Sequence, residues 1–504
     1  MRISKFPPRC SGLTGFIRLR FETRILALVL LPLILSGCMR LDRLTARTSP
    51  APQTSWTPPP GAAQTPAATP AVQIPPELAA SRQHWTLNEL IDIGLANNMQ
   101  TRLAWGAART AAAALGAARA SFLPRLSASL NATKTKGSAV GGRFVFDYSS
   151  LTPTAGLTYL LFDFGARGGL SEEARQALAA ANWTQNSAIQ NVILQVEQNY
   201  YQYLSAKSLL TAQRVSLKEA ETNLDAAQAR HAAGVATLAD TLQAKTALSR
   251  VQLSVVSTEG LLQVLKGALA NAVGLPANAG FDVADDLPAA SPFAEASGEV
   301  DKFIAAAEAK RPDLAAARSL ALKAEAHVKT VQSDGLPTLN FNGSIGRVYY
   351  STPAQSNSLT ASVVLDIPLF RGFSNAYQVL QAKSEAENAR AQMKKVEQDV
   401  ILQVWTSYQN VRTAAQSIKT AEDLFASARQ SYDVTLAAYK EGVGSILDLL
   451  AAQSALENGR LQLVQSKAQW LTALVQLARD TGTLEPPGAK PADPDPTTNE
   501  KGDR

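Results

Sequence analysis

From Phe162 to Gly274, and again from Phe370 to Gly482, the chain carries one pattern repeated at an offset of 208 residues without a gap. Gln195-Val196 falls on Gln403-Val404, Tyr200 on Tyr408, Gly234-Val235 on Gly442-Val443 and Asp240 on Asp448. Farther upstream the offset becomes 213, pairing Asn98 with Arg311 and Pro124 with Pro337. The five-residue difference therefore lies between Pro124 and Phe162, where a loop is expected to absorb it. A body written twice is two copies of one supersecondary unit, so each copy constrains the reading of the other.

Each copy reads as a helix, two strands, a very long helix and a returning helix. In the second copy Ile401, Val404, Tyr408, Val411, Ala415 and Ile418 alternate spacings of three and four, the seam of a coiled coil. No proline interrupts Ser171 to Ala233 or Ser374 to Glu441. A helix of more than sixty residues spans on the order of 100 Å, which predicts a tube or a stalk rather than a globular domain. His231-Ala232-Ala233-Gly234-Val235 and Lys440-Glu441-Gly442-Val443-Gly444 put glycine where a helix needs a left-handed residue to stop. Helical periodicity resumes at once, so each long helix folds back as an antiparallel hairpin. The returning helices run to Gly274 and Gly482, with Pro276 and Pro486-Pro487 as stops.

The predicted strands alternate apolar and polar residues. Leu126-Ser127-Ala128-Ser129-Leu130-Asn131-Ala132-Thr133 does so without a break, as do Leu151 to Tyr159, Leu339-Asn340-Phe341-Asn342 and Leu359-Thr360-Ala361-Ser362-Val363. This dyad period fits membrane-barrel strands and fits equally a soluble sheet packed on one face. Four strands cannot close a barrel, for which eight is the usual minimum, so a barrel reading requires an oligomer. No segment after the leader has eighteen consecutive apolar residues, so any crossing of a membrane falls to the strands.

The first forty residues read as an address. Arg18, Arg20 and Arg24 precede the apolar run Ile25 to Leu35, too short to span a bilayer but fit for a signal-peptide core. Leu35-Ser36-Gly37-Cys38 follows and resembles a lipobox, in which Cys38 becomes the acylated N-terminus of a lipoprotein; the alternative is an ordinary secretory leader with an incidental cysteine. Met39 stands where aspartate would signal retention in the inner membrane, which favours the outer one. The leader also accounts for the basic balance of the chain. Of 48 Lys+Arg and 42 Asp+Glu, residues 1–37 hold six and one, leaving a nearly neutral body without the basic footprint nucleic acid requires. Cys10 and Cys38 are the only cysteines, and His84, His231 and His327 are scattered, so neither a disulfide framework nor a metal site is expected. No nucleophile–base set or Gly-rich phosphate loop stands out, and the chain is not expected to be an enzyme or to hold a cofactor.

In order along the chain stand Trp85-Thr86-Leu87-Asn88-Glu89-Leu90 leading to Asn97-Asn98, then Leu123-Pro124 and Leu336-Pro337 where strands begin. Leu161-Phe162-Asp163-Phe164-Gly165 and Pro368-Leu369-Phe370-Arg371-Gly372 mark where strands end. Tyr439-Lys440-Glu441-Gly442 with Ser445-Ile446-Leu447-Asp448-Leu449-Leu450 marks the second hairpin. Their duplicated order resembles the TolC-like outer-membrane factor family, the exit ducts of tripartite efflux pumps and type I secretion systems, over roughly residues 85–483. The acylated cysteine is similar to its lipoprotein branch.

The resemblance implies a mainly α fold with a membrane β-barrel portion, in which a homotrimer with four strands per subunit forms a twelve-stranded barrel and a periplasmic α-barrel. It implies a passive channel in the outer membrane that carries substrates from an inner-membrane pump or ABC transporter and a periplasmic adaptor protein. A lipid-anchored coiled-coil scaffold without a pore is the alternative. Asp240 and Asp448 lie six residues past the helix-stopping glycines; in the family such aspartates line the periplasmic aperture, and the other reading is a pair of solvated helix-surface carboxylates. Where family members carry another aspartate this chain has Ala451, and Gly444 stands near the family's arginine. Gly234, Val235, Gly442, Val443 and Gly444 are candidate adaptor-docking residues, or simply turn residues.

The expected organisation is a signal peptide (1–37), an acylated N-terminus and Pro/Ala-rich tether (38–84) and a first repeat (85–275) with strands near 123–134 and 150–162. A linker (276–300), a second repeat (301–483) with strands near 336–349 and 357–369, and a disordered tail (484–504) complete it.

Overall fold

A computed structural model of the chain describes residues 48–49, 51–56, 84–139, 141–283, 287–288, 300–351 and 355–486. The leader, the lipobox with Cys38 and the chain beyond residue 486 lie outside the described residues. In chain order, β1 (His84–Trp85) leads to α1 (Leu87–Asn97), α2 (Met99–Ala120), β2 (Arg125–Ala139), β3 (Phe144–Phe162), α3 (Ala166–Ala232) and α4 (Leu238–Ala272). After β4 (Asp282–Val283) the second copy follows as α5 (Val300–Lys310), α6 (Pro312–Ser333), β5 (Thr338–Tyr350), β6 (Gln355–Asp366), α7 (Ser374–Lys440) and α8 (Ile446–Asp480).

The copies match element by element. Helices α3 and α7 each have 67 residues, and α4 and α8 each have 35. The five surplus residues belong to the first strand hairpin, whose strands of 15 and 19 residues outrun the 13 and 12 of the second. The insertion therefore lengthened a β-ribbon instead of swelling a loop. Strand β6 ends at Asp366, before the expected limit of 369; Pro368, which has no N–H for a ladder, lies just beyond.

The seam of α7 is buried at Val404, Tyr408, Val411 and Ile418 as expected. Val400 and Ala414 complete it, while Ile401 and Ala415 are only half-buried. A 3.6-residue helix drifts against a 3.5-residue repeat, and the buried position shifts by one residue as it drifts. Each long helix has two sets of neighbours. Toward its C-terminal end α3 pairs with α4 and α7 with α8, and α8 also lies against α3. Toward the sheet, α2 covers α3, while α6 packs on both α3 and α7 and so ties the copies together.

The returning helices end in matching fashion. Gly274 (φ +78°) and Gly482 (φ +72°) let Leu275 N–H donate to the Ala270 carbonyl (2.8 Å) and Thr483 N–H to that of Ala478 (2.9 Å), closing a Schellman cap. A side chain would not fit at either glycine. A Cβ on Gly274 would lie 2.9 Å from the Asn97 backbone, and one on Gly482 3.0 Å from the backbone of Arg311.

Two stretches outside the repeats carry local structure. Within the tether, residues 48–56 include a docked stretch. Trp105 Nε1 donates to the Ser49 carbonyl (2.8 Å), Asn186 exchanges hydrogen bonds of 2.7 Å with both backbone groups of Trp56, and the Trp56 and Trp183 rings meet edge-on at 5.2 Å. This docking uses backbone atoms and one aromatic ring, so it leaves no apolar period to read. The linker between copies likewise contains β4, which pairs in parallel with β1 and stacks Phe281 on Trp85 at 5.2 Å. Tyr203 and Lys207 of α3 hold this small sheet through Asp282 (2.8 Å) and the Val283 carbonyl (2.9 Å).

Candidate functional site

The four long strands form one antiparallel sheet in the order β2-β3-β5-β6. Pairing of β3 with β5 joins the two copies, and the outer edges of β2 and β6 have no partner among the described residues. The register brings the alternating apolar residues of all four strands onto one face. Leu126, Leu157, Gly343 and Ala361 stand in one cross-strand row; Ala128, Ala155, Ile345 and Leu359 form the next; Tyr159, Phe341 and Val363 make a third. The opposite face carries Ser127, Ser129, Asn131, Thr152, Thr154, Asn340, Asn342, Thr360 and Ser362. Among the described residues nothing covers the apolar face: Leu126, Leu130, Ile345, Val363 and Leu365 are exposed, and Leu359 is 81% exposed. A soluble one-sided sheet buries its apolar face, and this one presents it outward.

No Asp, Glu, Lys or Arg occurs in 126–133, 148–162, 338–346 or 355–365, so the charge-free zone crosses all four strands. Aromatic side chains flank it. Phe146, Tyr148 and Tyr350 cluster at the end bearing the strand turns, while Phe162–Phe164 and Phe370–Phe373 pair edge-on at the helix end. That end is pinned by Asp163, which accepts from Arg167 N–H (2.8 Å) and Arg167 Nε (3.0 Å), Asp163 being buried and Arg167 half-buried. Phe164 and Phe373 adopt positive φ (50° and 63°) at the exits, the strained hinge by which strand becomes helix. Among the described residues no helix is long and apolar enough to cross a membrane.

At the opposite end of the long helices lie the hairpin tips. Gly234 (φ +76°) and Gly442 (φ +84°) end α3 and α7. Val235 N–H donates to the Arg230 carbonyl and Val443 N–H to that of Ala438, each at 3.0 Å. The glycines are there for different reasons. Open space surrounds the missing Cβ of Gly234, so only its backbone angle demands glycine, whereas a Cβ on Gly444 would press on Tyr439 N at 3.0 Å. Val235 and Val443 point into solvent, with Leu238, Leu242 and Leu447 exposed beside them.

Asp240 and Asp448 are both the third residue of their returning helices, and both contribute to helix caps. Asp240 Oδ2 accepts Thr237 N–H (3.0 Å) while its own N–H donates to Thr237 Oγ1 (3.2 Å). Asp448 Oδ2 accepts from Ser445 Oγ (2.7 Å), which in turn accepts Asp448 N–H (3.1 Å). Asp448 is exposed and Asp240 half-buried. Capping holds each carboxylate in place at the mouth of its hairpin. Exposed His231 meets the Ala236 carbonyl through Nδ1 at 3.0 Å, and Tyr200, Tyr203 and Tyr408 are buried in the helix packing.

Cross-copy contacts at the tips were invisible in sequence. No arginine stands beside Gly444, yet Arg230 from the first hairpin donates to the Tyr439 carbonyl of the second, its guanidinium 4.8 Å above the Tyr439 ring. Burial raises the pKa of Tyr439; nearby Arg230 acts against that rise and Asp240 adds to it. Farther up, buried Asn223 donates to Gln453 (2.7 Å) and accepts from Tyr432 (3.2 Å), while Arg460 forks onto Glu219 at 2.9 and 3.1 Å. Between α4 and α8 runs a cleft of about 540 Å³, lined near the tip by Leu242, Gln243, Leu447 and Leu450 and deeper by Arg250 and Glu457.

A family model described as outer membrane efflux protein matches residues 90–275 and 303–483. The chain is 27% identical over 436 residues to Protein CyaE of Bordetella pertussis, covering 85% of this chain and 90% of that protein. It is 24% identical over 473 residues to the pyoverdine export outer membrane protein OpmQ of Pseudomonas putida, covering 88% and 95%. Among solved structures, the CmeC outer membrane channel of Campylobacter jejuni shares the fold at a TM-score of 0.72 and 17% identity, over 80% of this chain and 87% of that one.

Proposed function

From the premise that the chain belongs to the outer membrane efflux protein family, we propose that it is the outer-membrane exit duct of a tripartite export system. The outward apolar face of the sheet carries this reading. Lipid is the solvent that such a face fits, and a coiled-coil scaffold would have no use for it. Strand directions alternate across β2-β3-β5-β6, so the free edge of β2 on one copy meets the free edge of β6 on the next in antiparallel sense. Three copies give twelve strands with the apolar face to lipid and the Ser/Thr/Asn face to the lumen. The long helices of the homotrimer then continue the duct into the periplasm.

The work of such a duct is passage, with energy supplied by an inner-membrane pump or ABC transporter acting through a periplasmic adaptor. Asp240 and Asp448 are proposed to ring the periplasmic aperture, three carboxylates per ring, where they would draw cations. The adaptor is proposed to dock at the tips around Gly234, Val235, Gly442, Val443 and Gly444, where exposed Val235, Val443 and Leu447 offer apolar contact. Cys38 is proposed to carry the acyl chains that tether the N-terminus to the membrane. Labelling with radioactive palmitate should be lost in Cys38→Ser, and retained label would remove the anchor from this account.

Planar-bilayer conductance of the purified oligomer tests the duct. Small cation-selective openings are expected, with selectivity falling in Asp240→Ala/Asp448→Ala. Unchanged selectivity would move the constriction elsewhere, and silent yet membrane-inserted oligomer would favour a scaffold.

A further inference from the structure

Just beyond the apolar rows of the sheet, on the side of the strand turns, the outward face changes character. The register continues from Ala132–Leu151–Tyr349 to Lys134 opposite Ser149 and then to Lys136 opposite Asp147. Side chains two residues apart share a face, so Lys134 and Lys136 point the same way as Leu126, Leu130 and Ala132. On β5 the same parity places Arg347 above Leu339, Phe341 and Ile345, its guanidinium 5.3 Å from the ring of Tyr349 and bonded to the Gln355 side chain. Arg143 stands at the turn itself, exposed. Against these four basic residues the turn end of the sheet has one acid, Asp147, whose Oδ1 lies 3.6 Å from Lys134 Nζ. The helix end is balanced instead: Arg125, Arg167 and Arg371 stand there with Asp163, Asp334 and Asp366, and Asp163 is engaged by Arg167.

A surplus of one sign, confined to one rim of an apolar band, needs a counter-charge at that depth. Outward-facing side chains at the edge of the hydrocarbon meet lipid headgroups, not substrate. The turns lie at the end of the sheet opposite the helices, so with the helices in the periplasm this rim lies at the outer leaflet. We infer that Lys134, Lys136 and Arg347 form a headgroup-binding belt for phosphate-bearing glycolipid of the outer leaflet. The two lysines, one strand repeat apart, make point-charge contacts. Arg347 is held by the Tyr349 ring and Gln355, a fixed donor that reaches phosphate at less entropic cost than a free lysine. Repeated in each copy of a closed barrel, the belt would ring the protein with sites that set its depth in the bilayer. The inference rests on the barrel reading above, in which the apolar face meets lipid.

The test uses the full-length oligomer in a neutral detergent, with bisphosphorylated lipid A as the probe and binding followed by native mass spectrometry and by titration at increasing salt. Lys134→Gln, Lys136→Gln and Arg347→Gln, singly and combined, are expected to weaken binding by on the order of fivefold per residue, the effect of one basic side chain at an anionic membrane surface. Binding to unaltered protein should fall as salt rises, and lipid A stripped of its phosphates should bind the unaltered protein no better than intact lipid A binds the triple variant. Equal binding of both lipids, or a triple variant indistinguishable from the unaltered protein, would overturn the belt and leave a merely hydrated rim. Conductance of the same preparations separates the two readings. A triple variant that conducts normally but loses lipid A supports the belt within an intact duct. Loss of membrane insertion by the unaltered protein would instead remove the barrel on which the belt depends.

Discussion

Asn98 and Arg311 occupy equivalent places in the two copies and perform one task with different chemistry. Each stands at the N-cap of a helix, where only Asn98 caps with its side chain (accepting Gln100 N–H), and each satisfies a carbonyl left open at the end of a returning helix. Asn98 Nδ2 donates to Ala272 (3.0 Å), and an Arg311 terminal nitrogen donates to the Asp480 carbonyl (3.3 Å). Arg311 is buried and also forks onto Asp313 at 2.9 and 2.5 Å. Burial alone would raise the pKa of Asp313, but the hydrogen bond and charge of Arg311 outweigh it and hold it below the usual carboxylate range. The substitutions should therefore differ in cost. Arg311→Ala leaves half-buried Asp313 without its forked partner and the Asp480 carbonyl without this buried donor, and is expected to destabilise by about 3–5 kcal/mol, whereas Asn98→Ala is expected to cost about 1–3 kcal/mol; chemical denaturation compares them. Glu197 on α3 gives a second prediction. Burial pushes its pKa up to about 7. A carboxyl whose folded pKa exceeds its unfolded value favours the fold at low pH and progressively loses that advantage as pH rises through the folded value. Glu197→Gln should leave Tm nearly unchanged at about pH 5 and raise it at about pH 8. A Tm difference that does not vary with pH would mean that Glu197 titrates as it does in water.

At the scale of elements, the sheet invites a face-specific test. Leu359 and Thr360 are neighbours on β6 that point to opposite sides. Leu359→Arg places a charge in lipid and is expected to cost roughly 2–4 kcal/mol near the bilayer midplane; Thr360→Arg faces the lumen and should change conductance while sparing assembly. Yield of heat-resistant oligomer, measured for both, decides the matter, and equal losses would speak for a soluble sheet. The alternation that distinguishes these two positions was plain in the sequence, as were the four long helices and their glycine stops. The polar ties between the hairpins were not. Gln213, Ser216, Ala220, Asn223 and Ala227 follow the spacing of a buried stripe on α3, yet hydropathy passes over a stripe with polar members. A polar residue repeatedly at a seam position was the available signal. Arg230 and Tyr439 are 209 residues apart, and no local pattern brings such a pair together.

Considered as a whole, the molecule was legible to the extent that it repeats. Duplication let one copy correct the other, and the family resemblance rested on motifs lying in the repeated portion. What occurs once left no such signal: the 48–56 stretch and the β1–β4 pair engage the first copy through backbone atoms and isolated aromatic rings, which leave no period. The matched helices have one further consequence. Because α3 equals α7 in length and α4 equals α8, both tips stop at one level, and the cross-copy contacts of Arg230, Asn223 and Arg460 require that they do. An insertion in one long helix would throw its tip out of line with the other and rotate every seam residue beyond it. The β-ribbons face no such demand, and there the copies have diverged by five residues. The duct can thus vary freely at the cell surface, while its reach toward the inner membrane is a gauge that changes only in whole heptads, in all four helices at once.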